Sequence, residues 1–436
     1  MTTVEEAVAR AHRGEWAAVL ASTVRLTRDL DLAEECVQQA FVDALEVWRR
    51  IGVPDRPGAW LTTAARHNAL DLLRRARTLR AKLPLLVETD HRPDPVADLA
   101  TSRVDRGVTE EAVVPDDRLR LIFLCCHPAL SVEAQVALTL RLVCGVATAD
   151  VARAFLVTDS TMAARITRAK RKISAATIPF RMPSAGELPD RLSAVLAVIH
   201  LLYTTGHTAP SGTELERADL AARAVELARL LRVLLPAERE VAGLLALLVA
   251  NQARQPGRSD PDGRLVLLAD QDRTTWDRAA ITEADGLVIE AMRGGAPGRY
   301  ALQAAIATLH ASAPSYAETD WPQILQLYDA LLVAWPTPVV ALNRAVAVSM
   351  VDGPQAALRE VDRLAASSPI SGYRYLPAVR ADLLRRMDRP EDAVASYVEA
   401  LRRADNEAER RFLQDRIAQL HSRCDTSQRD RGSCRR

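Results

Sequence analysis

Five cations crowd one short stretch near the middle of the chain: Arg165, Arg168, Lys170, Arg171 and Lys172. Arg181 follows, and no acid stands anywhere from Ser160 to Arg181. Guanidinium and ammonium groups at that density meet phosphates, and the hydroxyls of Ser160 and Thr161 add hydrogen-bonding capacity. Ala163 and Ala164 offer only methyl groups, which restricts base readout there to contact with a thymine methyl. A second set lies upstream. Arg66, His67, Asn68, Arg74 and Arg75 fall in a stretch, Ala59 to Lys82, with six cations against the single acid Asp71. Trp60 opens it, and Asp55 and Arg56 sit in the loop before it. A third set, Asp31, Glu34, Glu35, Gln38 and Gln39, is acidic and amide-rich. The plain alternative for each set is a solvated helix face. Asp270 and Asp272 are paired carboxylates, whose commoner uses are helix capping and arginine pairing.

Periodicity assigns the elements that carry these residues. Thr148 to Phe155 reads as a short amphipathic helix capped by Thr148. Leu156 to Asp159 is a turn. Ser160 is the expected N-cap of a second helix with Met162, Ile166, Ala169 and Ile173 on its apolar face. A short helix, a turn and a basic second helix form a helix-turn-helix, which sets its second helix in a major groove. Two apolar helices, Leu119 to Leu130 and Val132 to Val143, precede it, and Gly145 ends the latter. Further upstream, Val4 to Leu30 is one helix or two. Asp31 to Trp48 is a strongly amphipathic helix, with Asp31 as cap and Glu34 at capping-box spacing. Ile51 to Gly58 is a loop, and Ala59 to Arg75 is another helix.

The whole chain bounds what these stretches can be. It has 436 residues and a formal net charge of +1, so any contact with nucleic acid must come from local clusters. The six cysteines form no CxxC pair, and the adjacent Cys125 and Cys126 read as small core residues. No stretch reads as a signal peptide and no apolar run is long enough to span a bilayer, so no membrane partner is expected and the working compartment is the cytoplasm. Low aromatic content, abundant Ala and Leu and the lack of alternating strands give an all-α fold class. No catalytic residue, metal ligand or cofactor is assigned.

From Leu83 to Asp117 nine acids stand against three arginines, so residues 83–116 read as an acidic linker. Ile178 to Pro183 breaks the helical run. Beyond it lie helices at Leu188 to Tyr203, Leu220 to Leu235 and Glu238 to Gln255. From about Tyr300 small residues recur: Ala345 and Ala357 are twelve apart, and so are Ala381 and Ala393, offset by 36. That is a tetratricopeptide (TPR)-like pattern of stacked helical hairpins with a concave groove.

The segment Asp31 to Trp48, DLAEECVQQAFVDALEVW, resembles region 2.2 of sigma-70 family factors. AWLTTAARHNALDLLRR, from Ala59, resembles regions 2.3 and 2.4, and the helix-turn-helix resembles region 4. Blocks in this order over about residues 10–180 are similar to the extracytoplasmic-function (ECF) subtype, and the long extension to its group with a TPR-like C-terminal domain. The resemblance implies two helical sigma domains: 1–82 (region 2) and 117–180 (region 4), joined by the linker. A TPR-like regulatory α-solenoid at 181–425 and a disordered tail at 426–436 would follow. It implies core RNA polymerase as partner, through the β′ clamp helices at Asp31, Glu34, Glu35, Gln38 and Gln39 and the β flap at region 4. Promoter DNA would meet Asp55, Arg56, Trp60, Arg66, His67, Asn68, Arg74 and Arg75 at the −10 element. At the −35 element it would meet Ser160, Thr161, Ala163, Ala164, Arg165, Arg168, Lys170, Arg171 and Lys172. A regulatory protein or peptide would occupy the TPR-like groove. Such a factor has no active site of its own.

Two other readings compete. A helix-turn-helix regulator with a TPR-like sensor, acting without polymerase, explains residues 138–430 but leaves the upstream blocks idle. An enzyme in Leu188 to Glu290 has no nucleophile elbow, phosphate loop or metal-spaced cluster behind it. His127, His200, His207 and His310 stand apart and are expected to be structural.

Overall fold

The computed structural model describes residues 3–86, 117–155, 157–208, 216–366, 370 and 372–433. The fold is all-α, as the composition requires, with no strand among the described residues. No described helix is long and apolar enough to cross a membrane. The chain divides into two compact units, Met1–Val198 and Ile199–Arg436. The division falls inside one helix, later than the sequence break at Ile178 to Pro183.

In the first unit α1 (Val4–Thr27), α2 (Leu30–Ile51) and α3 (Pro57–Leu86) form a three-helix bundle. Thr3 and Glu6 close a capping box on α1. The cap of α2 is Asp29, which accepts from the Asp31 and Leu32 amides. Asp31, the expected cap, lies in the first turn instead. Ala33, Ala40 and Ala44 of α2 and Ala65 and Ala69 of α3 are fully enclosed. Small side chains at these positions let the helices approach closely, and Trp48 fills the end of the bundle.

Residues 87–116, most of the expected linker, lie outside the described residues. The chain resumes with α4 (Asp117–Cys125) and α5 (Val132–Leu138), which runs on into a π-helical turn, Thr139–Val143. There the Cys144 amide bonds the Thr139 carbonyl at 3.0 Å. Then come α6 (Thr148–Ala154) and α7 (Asp159–Ala175). The helix-turn-helix is as expected, but its caps are displaced. Ala147, with no side-chain bond, precedes α6, and Thr158 caps α7 by accepting from the Thr161 amide. Gly145 ends the π turn at φ +67°, and a Cβ there would stand 3.1 Å from His12 and Trp16. Glycine thus meets both a left-handed backbone and a close approach to α1. The three-helix bundle and α4 to α7 belong to one compact unit.

Helix α8 (Leu188–His207) leads into the second unit: α9 (Ala218–Leu234), α10 (Arg239–Ala253), α11 (Arg278–Met292), α12 (Arg299–Ser312), α13 (Trp321–Ala334), α14 (Pro338–Val351), α15 (Pro354–Ala365), α16 (Leu376–Arg386), α17 (Pro390–Arg403) and α18 (Glu407–Ser433). Helices α13 to α17 each carry proline in the first turn, where its missing N–H costs nothing. Ala345, Ala357, Ala381 and Ala393, the small residues of the expected repeat, are all fully enclosed in one apolar cluster. Helix α18 runs through Ser433, so the tail expected to be disordered from 426 is helical to that point, and the last three residues lie outside the described ones.

Candidate nucleic-acid interface

Helix α7 sorts its cations by face. Met162, Ile166, Ala169 and Ile173 are buried, as their spacing requires. Arg168, Arg171 and Lys172 are exposed, together with Ser160, Thr161, Ala163 and Ala164 near the N-terminal end. Arg165 is half-buried, its guanidinium 5.9 Å from the Phe155 ring centre. Arg168 bonds back to the Ala164 carbonyl at 3.3 Å. These groups form one accessible basic surface on the second helix of the motif.

Lys170 is not part of that surface, which corrects its expected placement. It is 8% exposed, and its ammonium lies 2.6 Å from Glu34 Oε2 and 2.7 Å from Asp31 Oδ1, both on α2. Burial opposes its charge, but Glu34 and Asp31 outweigh that and hold its pKa above the ordinary lysine value. Glu34, expected on the open face of α2, is likewise buried, and its other oxygen pairs with Arg141. Arg141 comes from the π-helical turn. The same turn offers the Leu142 carbonyl, to which Trp16 Nε1 donates at 3.1 Å in a buried setting. A wider helical turn at a chain reversal leaves carbonyls free of their usual intrahelical partners. At the rim Arg25 pairs with Asp117 at 3.3 Å. The α4–α7 module is thereby seated on the bundle through Glu34. Asp31, Glu35, Gln38 and Gln39 remain exposed on α2, with Gln39 bonded to Asp43 at 2.8 Å.

On α3, Arg66, His67, Arg74 and Arg75 are exposed. Arg74 makes a 3.3 Å pair with Asp71. Asn68 is turned inward, its amide 3.4 Å from both the Cys36 carbonyl and Asp43 Oδ2, so it ties α3 to α2. Trp60 is half-buried and stacks edge-on against Trp48, with ring centres 5.6 Å apart. Asp55 and Arg56 are exposed in the turn before α3. Arg141 and Trp16 are the site residues that sequence reasoning missed.

No cluster of three or more potential metal ligands occurs among the described residues. Asp272 caps a short turn by accepting from the Thr274 amide at 2.9 Å. Burial first, then nearby arginines, pushes His200 and His310 down to about 4 and His207 to about 3, which keeps these imidazoles neutral in the interior.

Residues 16–78 match the family described as Sigma-70 region 2, and residues 120–173 the one described as Sigma-70, region 4. Residues 191–292 match a family of unknown function, DUF6596. An uncharacterized protein of Rhizobium meliloti (strain 1021) is 43% identical over 403 residues, which cover 92% of this chain and 93% of its own length. No solved structure matches the chain.

Proposed function

The chain belongs to one family with its Rhizobium meliloti relative and carries sigma-70 regions 2 and 4 in order, and from that premise we propose that it is an ECF-type sigma factor that directs core RNA polymerase to promoters in the cytoplasm. The observation that carries this reading is the exposed Arg168, Arg171 and Lys172 surface on the second helix of the region 4 motif. Region 4 sets this helix against the −35 element, where Arg165 and the Ser160 to Ala164 end add the remaining contacts. Arg66, His67, Arg74 and Arg75 meet the −10 element, with Asp55, Arg56 and Trp60 at the extruded base. Asn68 serves as a brace for α3. Glu35, Gln38 and Gln39, with Asp31 beside them, grip the β′ clamp helices, and the β flap meets region 4. The second unit, a TPR-like array, is regulatory.

The arrangement around Glu34 bears on how such a factor works. With Lys170 and Arg141 on Glu34, region 4 lies against one end of the polymerase-binding face of α2. We read this as the resting form, and engagement of both promoter elements requires the α4–α7 module to leave the bundle.

Reconstituted transcription tests the reading. Core polymerase supplemented with this chain is expected to initiate from discrete promoters in its genome. If core polymerase gains no start sites, while the protein alone still binds duplex DNA specifically, the chain is a helix-turn-helix regulator and the sigma reading falls.

A further inference from the structure

The second unit holds a cavity of about 670 Å³ between α13, α14, α16 and α18, within the usual size range for small-molecule sites. Its wall gathers Tyr316, Trp321, Tyr328, Tyr375, Tyr397 and Phe412, six of only eighteen Phe, Trp and Tyr residues in the whole sequence (five, six and seven). The repeat explains enclosed alanines between helices. It does not require a third of the aromatic residues to converge on one hollow.

The charge of the wall is as uneven. Arg385, Arg386 and Arg416 line it with a single carboxylate, Asp382. Arg385 takes that carboxylate at 2.7 Å. Arg386 bonds only the Ser349 hydroxyl and carbonyl, at 2.8 and 2.9 Å. Arg416 bonds Gln419 at 3.2 Å and stacks over Phe412. No carboxylate among the described residues neutralises either of these two. Trp321 Nε1 and His310 Nδ1, buried in the wall, also have no hydrogen-bond partner. Unspent polar capacity in a half-open, aromatic-walled hollow marks a place where a further molecule belongs. The cavity is too small for a folded partner, which needs roughly 800 Å² of surface on each side.

We propose that this cavity is a binding site for a small molecule with a flat apolar body and one anionic group, the body held between Trp321, Tyr328 and Phe412 and the anion by Arg386 and Arg416. Carboxylate and phosphate share the chemistry that two arginines recognise. The site goes beyond the sigma reading and stands whether or not the chain binds polymerase.

The test uses the full chain and 1-anilinonaphthalene-8-sulfonate, followed by fluorescence. N-phenyl-1-naphthylamine, the same body without the charge, is the comparison. The sulfonate is expected to bind saturably at one site, about tenfold more tightly than the neutral analogue, the scale of one charge-assisted hydrogen bond. In the Arg386→Gln, Arg416→Gln double variant the preference should fall to within about twofold while the chain stays folded, because a glutamine amide can still donate to Ser349 and neither side chain lies in the core. If that variant does not fold, Trp321→Phe gives a second readout, since it removes the nearest donor of energy transfer to the bound probe and should dim sensitised emission. Competition with 1-naphthoate and 1-naphthyl phosphate identifies the anion, and displacement by either supports the site. Non-saturable binding, equal affinity for both probes, or displacement by neither competitor overturns it.

Discussion

Helices α3 and α7 look alike in sequence, each a basic stretch nearly free of acids, yet the molecule uses them differently. On α3 the cations Arg66, Arg74 and Arg75 all stay exposed, and the residue turned inward is the neutral Asn68. On α7 the outer cations are free, but Lys170 is buried against Glu34 and Asp31. Helix α3 is therefore a surface that a ligand can meet at once. Helix α7 is both a surface and a fastener. A count of charges cannot separate the two uses, but the register of each charge against the apolar stripe can.

The largest test of that difference is Lys170→Glu, which sets a third carboxylate against Glu34 and Asp31. Removing one partner of a buried pair costs about 3–5 kcal/mol, so the first unit should lose most of its margin in urea unfolding. Lys170→Met is milder, because Arg141 still answers Glu34, and it should let labels on α2 and α7 move apart in energy-transfer measurements. Arg75→Glu on α3 should leave both readouts unchanged, and an equal loss there would erase the contrast. The pH dependence has a definite sign. The folded pKa of Lys170 is raised above its ordinary value of 10.5. The stability it contributes is thus complete below that value and is lost as pH rises through the folded pKa. The difference between wild type and Lys170→Met should be constant near neutrality and shrink only in strong alkali.

Much of this was legible in the residues. Met162, Ile166, Ala169 and Ile173 announced the inner face of α7, and the order of helices through region 2 and region 4 followed from periodicity and turns. Besides the inward Asn68, two residues whose placement differed from expectation, Lys170 and Glu34, were legible too. Lys170 follows Ile166 by four and Met162 by eight, so it stands on the apolar stripe. Glu34 precedes Val37 by three and Phe41 by seven on the stripe of α2. Two opposite charges, each set on an apolar face, point to a buried ion pair between those faces. Arg141 and the Leu142 carbonyl were not legible. Their reach depends on a π-helical turn at Thr139–Val143 that no local propensity marks. The cavity in the second unit was hidden for a similar reason, since its aromatic residues come from positions up to 96 apart, Tyr316 to Phe412.

A smaller effect sharpens the comparison on the DNA side. If α7 docks in a major groove, Arg168→Ala should weaken binding to a −35 duplex and reduce the slope of log affinity against log salt by about one. Arg75→Ala should do the same for forked −10 DNA. Lys170→Met should leave the slope for the isolated −35 duplex unchanged, because a lysine held by two carboxylates releases no counterion. A slope reduced by one in that variant would put Lys170 on phosphate and void the division of labour on α7.

The smallest effect separates the scaffold of α7 from its contact surface at the helix start. Thr158 accepts from the Thr161 amide at 3.2 Å, whereas Ser160, only 3.0 Å from the Thr158 hydroxyl, accepts from no amide. Thr158→Ala should therefore cost about 1 kcal/mol, the usual worth of an N-cap, read from the unfolding midpoint of the first unit. Ser160→Ala should change stability by less than about 0.5 kcal/mol, as for other exposed sites. Its hydroxyl stands beside the exposed Ala163 and Ala164 at the end of the helix proposed to enter the groove, so the loss should fall on DNA affinity instead. If Ser160→Ala destabilises the fold and spares DNA binding, the roles at this end of α7 are reversed and the helix does not approach DNA by its N-terminus.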